Sequence, residues 1–212
     1  VSLRTYGQYC GFARALEIVG ERWGLLIVRD LLVGPKRFTD LHHGLPGIPT
    51  NVLTARLKEL EQAGVVRRKL APRPGSVSYE LTEYGQELKD AVVALGRWGA
   101  KSLGEPQRGE TATADSLIMA LQTTFHPHAA RGIHASYELR FGPLVIHAHI
   151  KNGALQTGSG PLSNADLTIE TGPAIKALMA GEVSAAEALA KKIVRIKGNR
   201  KLLDRFAEVF RI

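Results

Sequence analysis

A single cysteine, Cys10, stands among 212 residues, so no disulfide can form within the chain. No apolar run approaches membrane-spanning length and no signal peptide is visible, which argues against a helical anchor or export. A soluble cytoplasmic protein with no membrane partner is therefore expected. Internal repeats and low-complexity segments are absent. Acidic residues are in deficit: 20 Asp+Glu face 28 Lys+Arg, leaving a net charge of +8 and a pI near 9.8. That balance favours a polyanionic partner. The excess is +5 over residues 1–104 (15 basic, 10 acidic) and +3 over 105–212 (13 basic, 10 acidic). The chain also lacks a nucleophile–base–orienter set. Ser159 lies between two glycines but has no strand-to-helix setting, so no enzyme and no cofactor are expected.

Residues 36–85 are the most informative segment present. Phe38 and Leu41 anchor a short amphipathic helix, and Pro46-Gly47 makes a turn. A longer helix is expected from about Thr50 to Ala63, with Leu53, Leu57 and Leu60 on one face. Gly64 ends it. Val65–Leu70 and Val77–Leu81 then read as paired strands around a stiff basic tip, Ala71-Pro72-Arg73-Pro74-Gly75. Helix, turn, helix and wing is the order of a winged helix-turn-helix, whose second helix can enter a DNA major groove. Upstream, Ala13, Leu16 and Val19 mark one helix and Glu21–Leu32 another, closed by Gly34-Pro35. Downstream, Thr82 suits the N-cap of a long helix, expected over 83–102, with Leu88, Val92, Leu95 and Trp98 near heptad spacing. The first helix and this long one are expected to form a homodimer.

Gly104–Ala112 has linker composition, so a boundary is expected over 104–112, between domains at 1–103 and 113–212. Beyond a helix around Asp115–Phe125, apolar and polar residues alternate. Ala135, Tyr137, Leu139 and Phe141 share one face, as do Leu144, Ile146, Ala148 and Ile150, and Ala165, Leu167 and Ile169. A sheet with one apolar face must be covered. The available covers carry Ile175, Leu178 and Met179, then Leu202, Leu203, Phe206 and Phe210. Ser184 and Glu187 form a capping box between them.

These residues carry two resemblances. Cys10, Glu21–Leu32, Gly34–Phe38 with Leu41, Gly47-Ile48, Leu53 with Arg56–Leu60, Gly64-Val65, and Tyr79–Thr82 with Gly85 closely resemble the HxlR family of bacterial winged-helix regulators. The resemblance spans nearly all of residues 6–100 and implies a homodimer on palindromic double-stranded DNA. Pro49 departs from it, standing where the family usually has Ser. The second half looks like the sterol carrier protein fold, through Ala165–Ile169, Leu178–Gly181, Ala185–Leu189 and Val194–Asn199. Lys192 and Asn199 replace the usual Gly and Asp. The expected class is therefore α+β: a winged helix-turn-helix, then a sterol carrier protein-like mixed sheet covered by helices.

Thr50, Asn51 and Thr54, with Arg56 and Lys58 beyond them, lie away from the leucine stripe and are candidates to meet DNA. Arg73, Gly75 and Ser76 of the wing could reach a phosphate or the minor groove. Lys36 and Arg37 could bind phosphate or be plain surface charges. Cys10 could be a redox sensor, since several family members sense there, or a small residue buried in a dimer interface. His126 and His128, and His147 and His149, are each separated by two; in a strand that spacing puts His147 and His149 on one face, but it is the polar face, and no Cys or obvious carboxylate partner is spaced nearby. Exposed histidines fit better than a metal site. Met119, Phe125, Leu178, Met179, Phe206 and Phe210 could line a cavity for a small apolar effector or fill an ordinary core; only the second resemblance favours the cavity. A lipid carrier whose winged helix mainly dimerises is the alternative function.

Overall fold

The computed structural model describes residues 5–70 and 77–212. The chain divides into two units, 1–92 and 93–212. The first contains α1 (Gly11–Val19), α2 (Gly24–Val33), β1 (Lys36–Arg37), α3 (Phe38–Gly44), α4 (Thr50–Gln62), β2 (Val66–Leu70), β3 (Val77–Leu81) and α5 (Glu83–Gln86); α6 (Lys89–Ala100) crosses the division. The leucine stripe of α4 is buried together with Ile27, Val28 and Leu31 of α2 and Leu41 of α3. This helix is held by burial of one face, since nothing but aliphatic spacing distinguishes that face. Three antiparallel strands in the order β1-β3-β2 complete the unit.

Three details depart from the expected elements. The second helix starts at Gly24 rather than Glu21, because Trp23 sits at φ 81° and cannot continue a right-handed helix. Lys36 and Arg37 form a strand, paired with Tyr79 and Ser78, a long-range partnership that local pattern does not announce. The helix expected over 83–102 is broken. Thr82 does cap, its Oγ1 accepting the Gly85 N–H at 3.0 Å, but α5 ends after one turn and α6 begins at Lys89. Gly85 packs on β2's approach so closely that a Cβ would lie 2.2 Å from the Val65 carbonyl oxygen. That close contact fixes the short helix before the chain turns again.

The second unit continues with α7 (Ala114–Thr124), β4 (His134–Phe141), β5 (Leu144–Lys151), β6 (Ala154–Ser159), β7 (Leu167–Thr171), α8 (Ile175–Met179), α9 (Ala185–Ala190), β8 (Val194–Gly198) and α10 (Lys201–Val209). Its sheet has the order β6-β5-β4-β7-β8, with β4 and β7 parallel and the other pairs antiparallel. The three alternating strands are its centre. The strands that alternation did not reveal, β6 and β8, are its edges. Tyr137, Leu139, Ile146, Ala148, Leu167, Ile169 and Val194 are buried in one layer with Leu178, Leu203, Phe206 and Phe210 of the helical segments. The division at residue 92 falls upstream of the 104–112 stretch. The end of α6 packs onto α7, where Arg97 Nε donates to the Thr123 carbonyl at 2.6 Å and Gly96 lies against the Thr123 side chain. Among the described residues, no helix is long and apolar enough to cross a membrane.

Candidate nucleic-acid interface

The turn between α3 and α4 is set by Gly47 at φ 83°, a left-handed conformation suited to glycine. Pro49 occupies the N-cap in extended conformation and offers no side-chain cap; the Leu53 N–H takes the Pro49 carbonyl at 3.0 Å instead. The helix then presents Thr50, Asn51, Thr54 and Lys58 on its exposed face. Thr54 Oγ1 donates to the Thr50 carbonyl at 2.9 Å, and Thr50 Oγ1 lies 3.4 Å from His42 Nε2 of α3. His42, stacked on Phe38 with ring centroids 6.5 Å apart, thus borders the exposed face. Sequence pattern gave no sign of this contact, because it depends on how two helices meet.

Arg56 is brought elsewhere than expected. It is half-buried and held by ion pairs to Glu59 and to Glu21, the latter at 3.5 Å, so its guanidinium ties α4 to the segment before α2. Lys36 and Arg37 lie in β1, at the far side of β3 from β2. The expected wing contacts Arg73, Gly75 and Ser76 lie outside the described residues. Their flanking strand carries Arg67, Arg68 and Lys69, all exposed but partly neutralised by carboxylates of β3 and α4. Arg67 and Lys69 bind Glu80 at 2.8 and 3.1 Å, and Arg68 reaches Glu61 at 3.3 Å. Lys69 first, then Arg67, hold the Glu80 carboxyl below the usual carboxylate range.

The remaining candidates are separate from this surface. Cys10 is the N-cap residue of α1 and is exposed; the backbone N–H groups of Ala13 and Phe12 lower its thiol pKa from the ordinary value. This is the direction that favours thiolate at a helix N-terminus. His147 and His149 have ring centroids 5.7 Å apart, and His147 Nδ1 lies 2.9 Å from the Gly160 carbonyl oxygen. Among the described residues, no three His, Cys, Asp or Glu side chains gather where they could hold a metal ion.

Met119, Phe125, Leu178, Met179, Phe206 and Phe210 are all buried in the second unit. Phe206 and Phe210 have centroids 4.8 Å apart, Phe125 and Phe210 5.8 Å, and Tyr137 and Phe206 5.6 Å. Tyr137, on the inner face of β4, is fully buried, and its hydroxyl has no hydrogen-bond partner among the described residues. Burial pushes its pKa up to about 12.

Fold and exposed helix face define the first unit as a winged helix-turn-helix. Comparison with known proteins narrows this: the HxlR-like helix-turn-helix family matches residues 18–107. An HTH-type transcriptional regulator of Bacillus subtilis, YvaP, is 38% identical over 91 residues, covering 42% of this chain and 84% of that protein. Rv3095 of Mycobacterium tuberculosis, also an HTH-type transcriptional regulator, is 42% identical over 108 residues, covering 50% of this chain and 66% of its own length, just under two thirds. A solved structure of the regulator ytcD shares 36% identity over 43% of this chain and 95% of that one, with a TM-score of 0.41. The chain belongs to the HxlR-like helix-turn-helix family.

Proposed function

We propose that this chain is a DNA-binding transcriptional regulator, a homodimer that presents two copies of α4 to an inverted-repeat operator. The observation that carries the proposal is the exposed row Thr50, Asn51, Thr54 and Lys58, opposite a buried leucine stripe, in a family whose relatives are named as transcriptional regulators. Asn can read adenine bidentately, Thr can touch a thymine methyl, and Lys can meet phosphate or guanine. Arg73, Gly75 and Ser76 of the wing, with Lys36 and Arg37, are proposed phosphate or minor-groove contacts. Dimerisation is supported by large apolar side chains exposed in the single chain: Tyr9 and Phe12 around α1, Leu95 and Trp98 on α6. Cys10, exposed in the single chain at the N-cap of α1 with its thiol pKa lowered by backbone N–H groups, is a proposed thiol sensor.

The second unit is proposed to be a sterol carrier protein-like effector module. Its mixed sheet with helices gathered on the apolar face supports that likeness, and the buried Tyr137 hydroxyl offers a polar anchor for an otherwise apolar effector. Selection of duplexes from a random pool tests the proposal. Asn51→Ala should weaken binding of the selected sequence by about 1–3 kcal/mol, and Leu95→Glu should give monomers in sedimentation and lose tight binding. A wild-type chain without sequence preference at moderate salt, or monomeric at micromolar concentration, overturns it.

A further inference from the structure

We infer that the second unit carries its own contact for the phosphate backbone of duplex DNA, on edge strand β8 and the turns at either end of it, residues 191–201. The inference rests on the DNA-binding role proposed above. Residues 191–201 read KKIVRIKGNRK, with six basic residues in eleven and no acid. All six are exposed. Residues 105–212 hold 13 basic and 10 acidic residues; without 191–201, seven basic face ten acidic. Residues 105–212 are thus polarised: one strip carries six positive charges and the remainder, with seven basic residues against ten acidic, is negative.

The geometry concentrates this charge. Val194 and Ile196 turn toward the helical layer, which places Arg195 and Lys197 together on the opposite face of the sheet. There they border a cleft of about 540 Å³, with Arg140, Glu138, Thr168 and Glu170. Glu138 is already committed, accepting from Arg140 Nε at 2.7 Å and the Leu162 N–H at 2.6 Å. Glu170 is the other carboxylate there, opposite Arg195 in register, so the lining is positive by one charge, from three cations against two anions. Lys192, Arg195, Lys197, Arg200 and Lys201 take part in no ion pair among the described residues.

Lysines on an edge strand also guard against strand addition, and Lys191 and Lys192 follow the C-terminus of α9, where cations are favourable. Neither account reaches Arg200 and Lys201. They stand at the N-cap and first position of α10, the end of a helix where positive charge is unfavourable. Asp204 is the acid in that first turn, and an anion bound along the strip would add to its effect. A five-residue strand spans about 17 Å, long enough to track several consecutive phosphates of one DNA strand. DNA is the polyanion already presented to this chain by its first unit.

The test measures binding of the full chain to a long random-sequence duplex by fluorescence anisotropy over a salt series. In Arg195→Gln/Lys197→Gln/Arg200→Gln, affinity should fall about tenfold or more, and the slope of log K against log salt should drop by roughly 2–3. A control with the same charge loss elsewhere, Arg108→Gln/Arg131→Gln/Lys151→Gln, should keep the slope. Asn51→Ala should lose sequence preference and keep the slope. If the wild type binds DNA but the strip variant matches it, the inference falls and the first unit's role stands. If both triple variants lose equally, net charge alone is responsible and the strip has no special part. If the strip variant loses binding to phosphatidylglycerol vesicles and not to DNA, the partner is wrong. A wild type that binds no duplex removes both proposals.

Discussion

The polar face of α4 and the polar face of the second unit's sheet begin from the same rule and end differently. On α4, Thr50, Asn51, Thr54 and Lys58 are solvent-facing where their spacing puts them, and of the candidates off the leucine stripe Arg56 alone is half-buried. On the sheet, Ser136 and Glu138 alternate outward yet are buried, at 9% and 2% exposure. The segment between β6 and β7 explains this: Leu162 N–H donates to Glu138, and Asp166 Oδ2 accepts from both the N–H and Oγ of Ser136, at 2.7 and 2.6 Å. A helix fixes its own outer face, whereas a sheet's outer face depends on what a distant loop does. Surface function on the first unit is therefore local in sequence, and on the second it is assembled.

Core truncation gives the largest effect and asks whether the two units are thermodynamically separate. Leu57 and Phe206 are each buried in one of them. Leu57→Ala should cost about 2–5 kcal/mol and Phe206→Ala about 3–5 kcal/mol. The two tryptophans, Trp23 and Trp98, fall one in each unit and serve as reporters. Urea unfolding followed by their fluorescence should show each substitution moving its own transition. A single transition moved by either substitution would join the units into one cooperative block.

The same contrast decides what was legible in the sequence. The leucines of α4, the turn at Gly47 and the cap at Thr82 act over a few residues, so their pattern is enough to place those elements. The second unit's central strands were legible for the same reason, since alternation in β4, β5 and β7 is local. The break after α5 was not, because it is fixed by Gly85 lying on Val65, twenty residues away. The spacing of Arg56 makes it a candidate to meet DNA, and its pairing with Glu21 depends on the packing of another segment that spacing does not show. Edge strands β6 and β8 were weakly patterned, having solvent on one side and only one neighbour each. The buried Tyr137 hydroxyl could not be seen at all, since alternation says a tyrosine is inward but not what its oxygen meets.

A smaller effect sharpens the comparison through pH. Asp166 is held below the usual carboxylate range by Ser136 Oγ and the Ser136 N–H. For Glu138, burial pushes its pKa up, but the Leu162 N–H and Arg140 outweigh this and the net direction is down. A carboxyl depressed in the folded state stabilises at pH above its unfolded value, near 4. That stabilisation is lost as pH falls from there through the lower native value. The second unit should therefore weaken on acidification below about pH 4. Asp166→Asn should cost about 1 kcal/mol at neutral pH, kept modest by exposure of the side chain. Its acid sensitivity should then be smaller than the wild type's in chemical unfolding at a series of pH values. Equal acid sensitivity in the two proteins would remove Asp166 from the loop's anchoring.

The smallest effect concerns the inner face, where the second unit differs most from the first. Tyr137 places its ring among Phe206 and Phe210 with a hydroxyl that has no partner among the described residues, while the buried apolar residues described in the first unit are aliphatic. Tyr137→Phe removes a buried hydroxyl that has no hydrogen-bond partner among the described residues, so it should stabilise by up to about 1 kcal/mol. The phenol's pKa is raised to about 12, so its neutral form is favoured in the fold. The unfolded value is near 10, and the wild type should lose stability as pH rises from there toward 12, a loss absent in the variant. Thermal shifts with apolar compounds bearing one hydrogen-bond acceptor complete the test. A compound anchored at this hydroxyl should raise the wild-type melting temperature with concentration and raise the variant's less. A variant that is destabilised and answers every compound as the wild type does would show the hydroxyl to be a structural part of the core and would overturn the proposed anchor.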